Sequence, residues 1–137
     1  MQQSEARKVL LVDDDAELRD LVAWILESLP GITVITAENG VAALRVVQEL
    51  CPSLVITDVW MPAMDGVELI QRLRDGRWAK VPILVFTVSE AQGQAAMQAS
   101  AEGWLDTPFD VDDLVAKVDW QLKTAQLAPQ RKESTAE

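Results

Sequence analysis

Leu54-Val55-Ile56-Thr57-Asp58-Val59-Trp60-Met61-Pro62 is an apolar run that stops at one carboxylate, with a proline four residues on. Bounded in this way it reads as a strand buried on both faces. Asp58 then stands where the strand leaves its sheet, and open α/β sheets bind ligands just outside such ends. A lone aspartate here is equally at home starting a turn or capping a helix. A second stretch, Val9-Leu10-Leu11-Val12-Asp13-Asp14-Asp15, has the same form. Two such strand ends side by side make an acidic pocket, and such a pocket needs a cation.

The rest of the chain supplies the frame. Residues 1–7 are polar and read as a loose N-terminus. Residues 8–13 form the first strand. Ala16 to Leu29 reads as a helix, with Leu18, Leu21, Val22, Ile25 and Leu29 at helical spacing. Asp14 or Asp15 caps its start and Pro30-Gly31 stops it. Ile32 to Ala37 is a second strand whose Thr33 and Thr36 suit a sheet edge. A helix from Val41 to Leu50, with Ala43, Leu44, Val47 and Leu50 apolar, ends at Pro52. The third strand is Ser53 to Asp58, followed by a helix from Asp65-Gly66 to Arg74 with Val67, Leu69, Ile70 and Leu73 inward. Val81 to Thr87 is the fourth strand, with Pro82 at its start, where a missing N–H is tolerated. Glu90 to Ser100 is an Ala- and Gln-rich helix expected to be the least firmly packed. Gly103 to Asp106 is a short fifth strand. Asp110 caps the last helix, with Val111, Leu114, Val115, Val118 and Leu122 toward the core.

Five strands alternating with five helices define an α/β protein with a parallel sheet. Right-handed crossovers and the polar second strand favour the order 2-1-3-4-5, a doubly wound sheet in which the first and third strands are neighbours. Asp13, Asp14 and Asp58 then emerge together. The expected organisation is one domain over residues 8–125, with 126–137 a flexible C-terminal tail.

Composition narrows the chemistry. The chain has 137 residues, 49% of them hydrophobic, enough for one full core. Its 22 acids and 12 bases give a charge of −10, which sets it against nucleic acid and toward cations or basic partner surfaces. There is no histidine, which excludes a Ser-His-Asp triad, histidine metal ligands and a phosphohistidine carrier. The one cysteine, Cys51, excludes an intrachain disulfide and a multi-cysteine zinc site. No apolar run approaches a membrane span, no secretory h-region opens the chain, and a cytoplasmic location fits. Neither a Walker loop nor a dinucleotide glycine motif is present.

Three carboxylates within about 4–6 Å of one another repel by roughly 4 kcal/mol per close pair at an effective dielectric of about 20. Either one stays protonated or a divalent cation binds. Mg²⁺ suits the pocket best, as a hard ion that takes a few carboxylates and keeps several waters. A metal beside a carboxylate favours phosphoryl transfer, with aspartyl phosphate as the natural product. Thr87, at the end of the fourth strand, has a hydroxyl that could donate to a phosphoryl oxygen or bond to backbone.

With these residues in place the chain resembles the receiver domain of two-component response regulators, a chemotaxis-regulator-like, flavodoxin-like fold. The matching residues are Asp13-Asp14, then Asp58 within Thr57-Asp58-Val59-Trp60-Met61-Pro62-Ala63-Met64-Asp65-Gly66, then Thr87, then Pro108-Phe109-Asp110. The resemblance implies a signalling module, not an enzyme with its own substrate. Asp58 accepts a phosphoryl group from a histidine kinase or phosphotransfer protein. Asp13, Asp58 and the Trp60 backbone carbonyl hold Mg²⁺, and Asp14 holds it through water. Thr87 moves to the phosphate, and Trp104 repacks as the switch aromatic. The remodelled face of the fourth helix, fifth strand and fifth helix meets an unknown downstream protein; homodimerisation is also open.

The chain also departs from that family. Lys-Pro is the usual pair; here Thr107-Pro108 stands in its place, a join often cis in the family. Without that lysine, stronger dependence on metal or altered carboxylate pKa values are expected. Lys80, at the far end of the fourth strand, is no evident substitute. Val88 replaces a small residue, and with Trp60 it could shield the phosphate or hinder donors; slow hydrolysis is the expectation. The segment from Thr87 to Thr107 is about two residues short, in the loop before the fourth helix. The missing lysine supports a competing reading, a docking or dimerisation module that does not switch. A third, a haloacid-dehalogenase-like phosphatase, would use the D-x-D within Asp13-Asp14-Asp15 but lacks the rest of that site. Trp24, Trp78 and Trp120 are expected to be partly buried packing residues; an exposed Trp120 would mark a partner surface.

Overall fold

A computed structural model describes residues 7–61, 64–76 and 80–127. The strands are β1 (Arg7–Val12), β2 (Ile32–Ala37), β3 (Leu54–Asp58), β4 (Ile83–Thr87) and β5 (Gly103–Asp106). The helices are α1 (Ala16–Glu27), α2 (Gly40–Leu50), α3 (Gly66–Arg74), α4 (Glu90–Gln98) and α5 (Val111–Leu127). All strand pairs are parallel and the order is β2-β1-β3-β4-β5, the order favoured by right-handed crossovers and the polar second strand. Helix α5 runs through Leu127, taking in the first two residues expected in the tail. Trp78, Pro62, Ala63 and the remainder of the expected tail lie outside the described residues.

The central strands are apolar on both faces because both faces are covered. Leu10, Val12, Val55, Ile83 and Val85 pack with Ala43, Val47, Leu69, Ile70 and Leu73 of α2 and α3 on one side. Their alternates Val9, Leu11, Leu54, Ile56, Leu84 and Phe86 pack with Val22, Ile25 and Leu26 of α1 and Leu114, Val118 and Leu122 of α5 on the other. The period of two along each strand decides which layer a residue joins. At the edge, β2 exposes Thr33 and Thr36, and its Val34 N–H is covered by the Glu27 carboxylate at 3.1 Å. Asp15 caps α1, one of the two residues expected there, and Asn39 caps α2, Asp65 α3 and Ser89 α4. The Asp110 carboxylate takes the Asp112 N–H at the start of α5.

Several side chains sit elsewhere than their spacing suggested. Trp24 is 75% exposed and Trp120 66% exposed, so neither packs into the core. In α1 the buried stripe runs through Val22, Ile25 and Leu26, which turns Leu21 and Trp24 to its solvent side. Trp120 falls between Val118 and Leu122, a half-turn from both. Val111 and Leu50 are also exposed; each is the end residue of its helix. The expectation for α4 is met: its only buried residues are Gly93 and Ala96.

Candidate functional site

β1 ends at Val12, and Asp13 follows as the first residue past the sheet, its N–H still bonded to Ala37 O at 3.1 Å. β3 lies beside β1 with Val12 opposite Thr57, so Asp58 projects one step further at the same end. The carboxylates of Asp13, Asp14 and Asp58 each bring an oxygen within 4.8 Å of the others. Asp13 is fully buried, Asp58 half-buried and Asp14 exposed. Asp13 Oδ1 accepts the Asp15 N–H at 2.9 Å, while Oδ2 is buried and without a partner among the described residues.

A buried, unpartnered carboxylate oxygen next to two more acids is costly when ionised. Burial pushes the Asp58 carboxyl up to about 6, with the Asp13 charge adding to the effect. Burial also raises Asp13, against the hydrogen bond from Asp15 that favours its charged form. Arg19 opposes the same rise: its guanidinium donates to the Asp13 carbonyl at 2.8 Å and its charge favours the Asp13 anion. The cluster therefore has the donor set of a hard divalent cation: three oxygens, close together, with negative charge not fully compensated.

The loop after β3 is held by backbone contacts. Val59 N–H donates to Phe86 O at 3.3 Å, Gly66 N–H to Val59 O at 2.8 Å, and Trp60 N–H to Asp58 Oδ1 at 3.4 Å. Gly66 explains the Asp65-Gly66 pair. A Cβ there would overlap the Asp58 carbonyl oxygen and approach Val59 Cα to 2.9 Å, both backbone atoms that cannot swing aside. Gly66→Ala is expected to cost about 1–3 kcal/mol by overpacking and to weaken divalent-ion binding by displacing Asp58. A thermal melt and a metal titration on the same variant check both effects.

Thr87 ends β4 next to β3, buried, with its hydroxyl lacking a partner among the described residues. Its carbonyl accepts the Thr107 N–H at 2.7 Å, and the Thr107–Pro108 bond is cis. Only Val88 and Ser89 lie between β4 and α4. Val88 is 72% exposed and Trp60 75% exposed, so both flank the pocket as solvent-facing apolar groups. Trp104 on β5 is half-buried, its indole lying against Gly93 of α4, where a Cβ would come within 2.6 Å of the ring. Lys117 of α5 donates to the Trp104 carbonyl at 3.0 Å and pairs with Asp113 at 3.2 Å.

Asp13, Asp14 and Asp58 are thus brought together, with Thr87 one strand away and Trp60 on the rim. Trp104 and Thr107 belong to the neighbouring β5 edge. Arg19, Gly93 and Lys117 escaped the reading of the sequence. Arg19 lies one turn beyond the cap Asp15, a spacing that lets a long side chain fold back over the strand end.

The chain matches the response regulator receiver domain family over residues 9–119 and belongs to it. It is 33% identical to the DNA-binding dual master transcriptional regulator RpaA of Synechocystis, over 90% of this chain and 52% of that protein. It is 36% identical to an uncharacterised 14.6 kDa protein of Leptolyngbya boryana, over 86% of this chain and 92% of that one. Among solved structures it resembles the chemotaxis response regulator CheY4 of Vibrio cholerae, with a TM-score of 0.77 and 33% identity over 84% of this chain and 98% of that one. A putative response regulator from Chloroflexus aurantiacus gives a TM-score of 0.82 at 29% identity, covering 87% and 99%. The chain spans about half the length of RpaA and of Rre1 of Synechocystis. It is therefore a receiver domain, a signalling module of two-component systems, in which such domains work with histidine kinases or phosphotransfer proteins. No described helix is long and apolar enough to cross a membrane.

Proposed function

We propose that the chain is a phosphorylation-controlled switch in a two-component phosphorelay and that Asp58 is its phosphoacceptor. The observation that carries this reading is the meeting of three carboxylates, one of them an aspartate at the end of β3 with a pKa near 6. At neutral pH that carboxyl is largely ionised yet more basic than an ordinary aspartate, so it is both available and more nucleophilic. An Asp58 oxygen attacks the phosphorus of a phosphohistidine on the donor. The P–N bond breaks, the imidazole keeps its electron pair, and an aspartyl phosphate remains. Asp13, Asp58 and the Trp60 carbonyl would hold Mg²⁺, with Asp14 reaching it through water, and the ion would offset charge on the phosphate oxygens. The Thr87 hydroxyl, buried and without a partner among the described residues, is available to donate to one of them.

Thr107 stands at the usual lysine position with no charge, while the Arg19 guanidinium bonds the Asp13 carbonyl and its charge favours the Asp13 anion. Phosphorylation draws Thr87 inward and shifts Trp104, altering the face of α4, β5 and α5 for a downstream protein. Hydrolysis is slow, the module turns over no separate substrate, and it works in the cytoplasm. The test is intact mass after incubation with Mg²⁺ and a small phosphodonor. Wild type should gain one phosphoryl group, while Asp58→Ala or metal-free wild type should gain none. An unmodified wild type would defeat the reading in favour of a receiver that docks without switching.

A further inference from the structure

The N–H of Val88 donates to Gln92 Oε1 at 2.9 Å. Gln92 belongs to the first turn of α4, where its own N–H is taken by the Ser89 hydroxyl at 3.2 Å. Ser89 and Gln92 thus have the spacing of a capping box, but the glutamine reaches one residue further back than the cap. The amide it covers is significant. Along β4 the Phe86 carbonyl faces β3, where it accepts from Val59, and the Thr87 carbonyl faces β5, where it accepts from Thr107. The Thr87–Val88 peptide is planar and trans, so its N–H, that of Val88, points away from the Thr87 carbonyl and toward the β3 side, where Asp58 ends that strand. This N–H neighbours the Thr87 hydroxyl, which is buried and has no partner among the described residues.

We infer that Gln92 is an intramolecular occupant of the phosphoryl site: its side-chain oxygen holds the Val88 N–H that a phosphoryl oxygen on Asp58 would take. The inference rests on Asp58 being the phosphoacceptor. A phosphoryl group then has to displace Gln92, and displacement frees the first turn of α4 from β4. The very next residue is Gly93, which seats the Trp104 indole. One helical turn therefore joins the pocket to the surface aromatic. α4 is suited to that role, since only Gly93 and Ala96 anchor it in the core.

Two substitutions separate this role from simple helix capping. Gln92→Ala vacates the amide; Gln92→Glu keeps the box, which accepts either residue, but sets a second anion at the same N–H. The measurement is beryllofluoride affinity of the full chain in saturating Mg²⁺, followed by tryptophan fluorescence, with a thermal melt of each variant. Gln92→Ala should bind roughly three- to tenfold tighter than wild type, the range of one net hydrogen bond. Gln92→Glu should melt like wild type and bind at least as much more weakly. A capping role alone would lower stability in Gln92→Ala and leave both affinities unchanged. Wild-type affinity in both variants, or weaker binding by Gln92→Ala, overturns the inference. Wild type that binds no beryllofluoride defeats the phosphoacceptor reading and this inference with it.

Discussion

In metal-free buffer near pH 8, Asp58→Asn is expected to melt about 5–10 °C above wild type. The ionised Asp58 carboxylate is pressed against Asp13 in a half-buried pocket, and its pKa is raised from 3.8 to about 6. Below the ordinary aspartate pKa both folded and unfolded chains hold this proton. Between the two values the folded chain binds more protons than the unfolded one, so stability falls as pH rises. The loss is complete above the folded pKa and amounts to at most about 3 kcal/mol for a shift of about two units. Asp13 contributes with the same sign. The asparagine variant escapes the Asp58 share at high pH and gains little near pH 4, so the two melting curves should converge on acidification. Added Mg²⁺ should stabilise wild type, binding the folded chain alone, and narrow the gap. Equal melting temperatures near pH 8 without metal would show that the three acids do not repel as their placement implies.

Arg74→Ala should cost about 3 kcal/mol and lower the melting temperature by about 10 °C. Arg74 is the last residue of α3, and its side chain is only 15% exposed. Its guanidinium bonds the Ser100 carbonyl twice, at 2.8 and 3.1 Å, the Val81 carbonyl at 2.6 Å, and Glu102 at 2.9 Å. Glu102 in turn takes the Ile83 N–H at 2.6 Å. Ser100 is in the left-handed region at φ +82°, so the same fork braces a strained residue at the end of α4. One side chain thus ties α3 to the starts of β4 and β5, at the end of the sheet opposite Thr87. Arg74→Lys should recover only part of the loss, because an ammonium cannot reproduce the planar fork. Phosphorylation of the folded fraction should be unaltered at low temperature, since the knot lies far from Asp58. A chemical denaturation series on the three proteins gives the order directly.

The sheet was readable because its strands differ in pattern: uninterrupted apolar runs in β1, β3 and β4, and interleaved threonines in β2. The acidic pocket followed from the strand order, since Asp13 directly after β1 and Asp58 at the end of β3 stand at the same end of adjacent strands. Side chains that fold back on backbone were not readable. Arg19, Arg74 and Lys117 act through carbonyls six to twenty-six residues away, and nothing in their spacing names the acceptor. The Ser89–Gln92 box was not singled out, and its target, the Val88 amide, depends on where β4 stops. Trp24 and Trp120 depart from the expectation of partial burial because the helix stripes are already filled by Val22, Ile25 and Leu26 and by Leu114, Val118 and Leu122. Size and apolarity make tryptophan costly to expose but do not decide which face a helix presents.

A calorimetric titration with Mg²⁺ tests the pocket most directly. Wild type should bind at millimolar concentration or below and, near pH 6, release about half a proton as Asp58 ionises. Asp13→Asn should lose most of that binding. A flat titration of wild type, or an isotherm unmoved by Asp13→Asn, would contradict a divalent-ion site built from these three acids.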